Sequence, residues 1–254
     1  MPTDRRTLIK ALGSLPLATI LADPVLAQEA AATTRPLSIA TPSGRSISGA
    51  LALPAQLPAP VLILIHEFWG LNDQIKAVAA DFAAQGYVAL AVDLYGGQLA
   101  ENADQARALM SAVDAGVATE TLTSWIAWGR QIKEGNGKLA TVGWCFGGGW
   151  SLNASVAAPV DATVLYYGRC NLPTADLAHL KGPVLGHFGT RDHYINKEMV
   201  DVFEAHMKEA GKPYHAYWYE ADHAFANPTG NNFHKEDAQL AWGRTLAFLR
   251  ENLA

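Results

Sequence analysis

Apolar residues fall along this chain in two alternating kinds of run. Short unbroken ones, VLILIH (61–66), YVALAVD (87–93), KLATVGW (138–144), ATVLYYG (162–168) and PVLGHFG (183–189), have the length and branching of strands buried on both faces of a parallel sheet. Longer segments lie between and after them, with apolar residues every three or four positions. They cover 74–86, most of 101–134, 146–157, 197–211 and 235–252, and Gly86 and Gly211 close two of them. LSIAT (37–41) and SISGALAL (46–53), separated by the turn residues PSGR, predict two opening strands, and YHAYWYE (214–220) a last one. Strand and helix alternate almost throughout. That pattern predicts an α/β fold: right-handed β-α-β crossovers and a mostly parallel central sheet with helices on both faces.

The chain has 254 residues, half of them apolar, enough for one large domain with a continuous core. A net charge of −5 without a Lys/Arg cluster argues against a nucleic-acid partner. The N-terminus changes the picture. Arg5 and Arg6 precede the apolar run ALGSLPLATILA, and Val25 and Ala27 offer a small-residue cleavage site. This reads as a twin-arginine export signal over 1–27, leaving 28–254 as the domain. The expected mature protein is soluble, periplasmic and monomeric, with no membrane contact, since no other run approaches the ~18 apolar residues of a span. In an oxidising compartment the two cysteines, Cys145 and Cys170, could pair.

In folds of this kind functional groups collect at the carboxyl ends of strands. The predicted strand ends gather HEFWG (66–70), LYGG (94–97), Cys145, Gly168-Arg169, TRDH (190–193) and ADHAF (221–225). GWCFGGG (143–149) is the most specific of these. A nucleophile on a sharp strand-to-helix bend needs small residues two before and two after it, and Gly143 and Gly147 stand there around Cys145. Such a bend aims the sulfur into a cleft and leaves N–H groups at the helix start for a developing oxyanion. Asp192 and then His223 follow, the order of nucleophile, acid and histidine that suits this architecture. Taken singly, a cysteine after a strand is more often a small buried hydrophobe, and an aspartate after Gly-Thr more often caps a turn. Spacing, order and strand-end position together favour Cys145, Asp192 and His223 as a catalytic set.

HEFWG, DLY, GWCFGG, YYG, DHYI and DHAF, in that order between about 37 and 252, resemble the motifs of the dienelactone hydrolase family. The resemblance implies an α/β-hydrolase fold and cleavage of an ester or lactone, a small-molecule substrate. It implies Cys145 as nucleophile, His223 as base, Asp192 as its orienter, and Glu67 as the carboxylate that contacts the resting thiol and helps produce the thiolate. The family's oxyanion donors correspond to the backbone N–H groups of Phe68 and Phe146. The departures bear on substrate: Gly96 and Gly97 follow the DLY segment and Asn227 follows His-Ala-Phe-Ala, where arginines facing a substrate carboxylate are expected. Arg169 or Arg191 could substitute for them. Trp69, Tyr95 and Tyr167 could line a more apolar pocket with Arg169 at its rim, or serve only in the core. No cofactor is expected, and no metal, because HEFWG lacks the second histidine of a zinc-binding helix. The competing reading is a low-turnover ligand-binding or thiol-reactive module on a hydrolase scaffold.

Overall fold

The computed structural model describes Leu21 and residues 23–254. A helix α1 (Pro24–Ala32) leads into β1 (Arg35–Ala40), β2 (Ser46–Ala52) and β3 (Ala59–Ile65). Then come α2 (Asp73–Ala84), β4 (Val88–Val92), α3 (Ala103–Ala112), α4 (Ala115–Gln131), β5 (Gly135–Trp144) and α5 (Phe146–Ala157). β6 (Ala162–Tyr166), the one-turn α6 (Thr174–Leu177), β7 (Val184–Gly189), α7 (Lys197–Glu209), β8 (Tyr214–Tyr219) and α8 (Lys235–Leu253) complete it.

The strands form one eight-stranded sheet in the order β1-β2-β4-β3-β5-β6-β7-β8. β1–β2 and β2–β4 pair antiparallel, and every pairing from β4 through β3 to β8 is parallel. This is the expected mostly parallel α/β sheet. The two faces of β3 explain its unbroken apolar run. Leu62 and Leu64 pack with Phe82 of α2 and Leu249 of α8, whereas Val61, Ile63 and Ile65 pack with Leu122 and Trp125 of α4. Val61 through Ile65 are all buried, so no polar alternation survives along the run.

The helical stretch expected over 101–134 is two helices. α3 ends at Val113, and Asp114 caps α4 by accepting from the Val117 N–H at 2.8 Å. The expected export signal falls mostly outside the described residues. Its last residues do not: Ala27, the expected cleavage position, is buried within α1, in the same cluster as Ala30 and Phe82. No helix among the described residues is long and apolar enough to cross a membrane.

β3 stands between β4 and β5, where the strand order turns back on itself, so the chain leaves β3 and β5 side by side at the carboxyl edge. Crevices at such reversals receive ligands in open α/β sheets.

Candidate active site

β5 ends at Trp144, and α5 begins at Phe146, so Cys145 alone makes the bend. Its φ is +53°, a conformation an L-residue adopts only under strain. The glycines around it answer to close approach. A Cβ on Gly143 would lie 1.9 Å from the Gly147 carbonyl oxygen, and one on Gly147 would lie 2.2 Å from that of Ile65. Strand β3 and the first turn of α5 touch backbone to backbone there, with Cys145 lifted above them.

His223 Nε2 lies 3.2 Å from Cys145 Sγ, and its Nδ1 lies 2.7 Å from Asp192 Oδ2. The residues meet although 78 and 31 positions separate the two pairs. Asp192 is fixed from behind: its Oδ1 accepts from the N–H groups of Tyr194 and Ile195, at 2.8 and 2.9 Å. The turn-capping use of this aspartate and its contact with the histidine are therefore both present, one on each oxygen. Burial works to lower the His223 pKa, but the hydrogen bonds and charges of Asp192 and Cys145 outweigh it and raise it to about 10. The loop that carries His223 is anchored at both ends. Asn232 Nδ2 donates to the His223 carbonyl at 2.9 Å, and the His234 N–H donates to that of Phe225 at 2.9 Å.

Glu67 is buried beside this set, after β3. Its Oε1 accepts from the Tyr167 hydroxyl at 3.0 Å and its Oε2 from the Asn227 amide. Among the described residues Cys145 Sγ hydrogen-bonds with His223, whereas Glu67, expected against the resting thiol, is occupied by Tyr167 and Asn227. Burial raises the Glu67 pKa; the two hydrogen bonds and the His223 charge offset this only in part. Asn227 is the residue that sequence reasoning read only as a missing arginine. Its amide is committed to Glu67, and its Oδ1 accepts from the Thr229 N–H and hydroxyl at 2.9 and 2.7 Å. A short polar run after a histidine gives no hint of a partner so far away in sequence.

The N–H of Phe146 opens α5, and a helix leaves such groups without an internal partner. The N–H of Phe68 makes no backbone hydrogen bond among the described residues. His66 steadies the turn that carries Phe68. Its Nε2 accepts from the Leu94 N–H at 3.2 Å, which leaves the proton on Nδ1 to donate to the Glu67 carbonyl at 2.6 Å. Burial lowers the His66 pKa, which keeps the ring in that neutral form.

Of the four residues proposed for a pocket, Tyr167 and Tyr95 are buried, Trp69 is half-buried, and Arg169 is exposed. Tyr167 (φ +38°) supports Glu67 and sets its ring edge-on to His223, centroids 5.2 Å apart. Trp69 packs on Phe68 at 4.5 Å. Tyr95 packs on His66 and Phe146. Arg191 is engaged with Glu220 and Asp222. Tyr194, which the sequence did not single out, stands 77% exposed with its ring 5.4 Å from that of His223. Cys145 and Cys170 are both free thiols, and burial raises the Cys170 thiol to about 12.

The sequence profile of the dienelactone hydrolase family matches residues 47–253. A carboxymethylenebutenolidase from Pseudomonas sp. (strain P51) is 31% identical over 233 residues, spanning 85% of this chain and 95% of its own. The carboxymethylenebutenolidase of Pseudomonas putida is 29% identical over 227 residues, spanning 85% and 96%. Among solved structures, a candidate dienelactone hydrolase from Klebsiella pneumoniae superposes with a TM-score of 0.74 at 26% identity, over 86% of this chain and 99% of its own.

Proposed function

The chain belongs to the dienelactone hydrolase family, and from that premise we propose that it cleaves an ester or lactone through a thioester formed on Cys145. What supports this reading above all is the run of contacts from Asp192 to His223 to Cys145, on a strained bend at the carboxyl edge of the sheet.

The raised pKa of His223 favours its protonated form beside the Cys145 sulfur, and the thiolate is the attacking form. The sulfur adds to the carbonyl carbon. The carbonyl oxygen, now negative, lies against the N–H groups of Phe68 and Phe146. The carbon–oxygen bond breaks and His223 gives its proton to the leaving oxygen, which in a lactone stays tethered to the acyl chain. Neutral His223 then takes a proton from water as the water attacks the thioester. The carbon–sulfur bond breaks, releasing the acid and restoring the thiolate beside the imidazolium. Asp192 holds the imidazole with Nδ1 toward it through both steps.

The substrate reading follows from what is not charged. Gly96 and Gly97 carry no side chain, and the Asn227 amide already serves Glu67. We propose neutral esters and lactones over a substrate with a free carboxylate. The test is a panel of p-nitrophenyl esters of rising length, simple lactones and a dienelactone, with Cys145→Ser and His223→Ala alongside. Turnover of neutral esters, lost at least a thousandfold in both variants and weak on dienelactone, is the expected result. A reactive thiol without turnover on any of them would favour the thiol-reactive module instead.

A further inference from the structure

Five buried side-chain atoms lack a hydrogen-bond partner among the described residues: Asp81 Oδ2, Tyr95 Oη, Ser124 Oγ, Trp125 Nε1 and Tyr214 Oη. Four belong to helices away from the carboxyl edge or, for Tyr214, to the first residue of β8. Tyr95 alone lies on the loop that leaves a strand at the edge where Cys145, Glu67 and His223 meet.

A buried hydroxyl with nothing to bond is destabilising, and native interiors retain few of them. Tyr95 is 6% exposed and firmly set. Its N–H donates to Asp93 Oδ1 at 2.8 Å. Its ring stands edge-on to His66, centroids 4.7 Å apart, and lies tilted against Phe146 at 5.5 Å. Those two rings belong to the two turns that carry the N–H groups of Phe68 and Phe146. The turn after Glu67 also packs closely on the Tyr95 loop: a Cβ on Gly70 would lie 2.6 Å from the Gln98 carbonyl oxygen and 3.3 Å from Tyr95 Cδ2. Burial, and then the nearby charge of Cys145, both raise the phenol pKa, so the group keeps its proton as a donor.

We propose that Tyr95 is a further catalytic residue, whose O–H donates a third hydrogen bond to the substrate oxygen that turns negative when the Cys145 sulfur adds to the carbonyl. The proposal rests on the hydrolytic reading above. The phenol transfers no proton: it donates while the oxyanion exists and returns to its unpartnered state when the carbonyl re-forms. Its unmet bond at rest and its bond to the intermediate make the interaction stronger in the transition state than in the ground state, which is what lowers a barrier.

Tyr95→Phe removes only the oxygen. With p-nitrophenyl acetate, kcat should fall of the order of a hundredfold, with KM within about twofold of wild type. The melting temperature should hold or rise, because an unpartnered buried hydroxyl is gone. Affinity for a trifluoromethyl ketone, which forms a thiohemiketal oxyanion on the cysteine, should fall in parallel. Unchanged kcat, or a raised KM with kcat preserved, would overturn the assignment. Should Tyr95→Phe fold poorly, equal kcat in Tyr95→Phe and wild type, each normalised to thiol titrated by iodoacetamide, would still overturn it. Wild type and Cys145→Ala run in the same assay separate the two claims. An active wild type silenced by Cys145→Ala, with Tyr95→Phe at full rate, refutes Tyr95 alone. An inactive wild type, or an active Cys145→Ala, refutes the hydrolytic reading and the Tyr95 role with it.

Discussion

Asn227 reaches across 160 positions of sequence to donate to Glu67 Oε2, and Tyr167 donates to Oε1. Both partners are buried, so neither amide nor carboxyl finds water in exchange. Asn227→Ala should therefore cost about 1–3 kcal/mol, the penalty for stranding a buried polar group, and should loosen the loop that carries His223. Urea denaturation measures the first effect, and a fall in kcat/KM without loss of titratable thiol measures the second. Wild-type stability in the variant would mean that water replaces the amide. At this scale the sequence revealed the groups whose chemistry is local. Cys145 between glycines and Asp192 before a turn can be read in a window of a few residues. Asn227 and Tyr95 cannot, because what makes them matter is a partner, or the lack of one, contributed by another strand end.

The bend at Cys145 shows how an element is set by what it must approach. A Cβ on Gly147 would overlap the backbone of both Ile65 and His66, which cannot swing aside as a flexible side chain can. Gly147→Ala should lower the melting temperature by several degrees and cut kcat at least tenfold by shifting the turn that aims the sulfur. Gly243→Ala is the matching control, because a Cβ there meets nothing within 4 Å in the body of α8. It should gain about 0.5–1 kcal/mol from helix propensity. Equal effects of the two alanines in melting and rate assays would contradict the steric account. Strands and helices were legible because both faces of β3, β4 and β6 are covered, which leaves apolar runs that water never interrupts. The break at Val113–Asp114 was not, since the apolar spacing continues through it and only the Asp114 cap marks it. Helix α1 was also missed, because its small apolar residues suit an export signal as well as they suit packing on α2.

For the whole molecule, pH stability turns on a group away from the site. Asp81 of α2 is 5% exposed, its Oδ2 has no partner among the described residues, and burial raises its pKa from 3.8 to about 7. A carboxyl whose folded pKa lies above its unfolded value holds its proton more tightly when folded. Its contribution is thus complete below about pH 3.8 and is lost as pH rises through about 7. The full loss is of the order of 4 kcal/mol. Asp81→Asn should flatten the fall in melting temperature between pH 5 and pH 8 and be the more stable protein at pH 8. Parallel curves for variant and wild type would show that Asp81 ionises without cost. A neutral buried network steadies the opposite half of the sheet. His187 lies between the Tyr219 hydroxyl at 2.8 Å and Thr245 at 2.9 Å, and Thr245 also meets Tyr166 at 2.6 Å. Burial drives the His187 pKa down to about 3, so α8 stays tied to β6, β7 and β8 across the range where Asp81 titrates.

The most direct test of the mechanism is rapid-quench mass spectrometry during turnover of a p-nitrophenyl ester. The account predicts one acyl group on the peptide carrying Cys145, released by hydroxylamine, formed in wild type and missing in Cys145→Ala, which should also be inactive. Steady turnover without an adduct on that peptide, together with a Cys145→Ala variant that retains the wild-type rate, would contradict the thioester and the assignment of Cys145 as nucleophile.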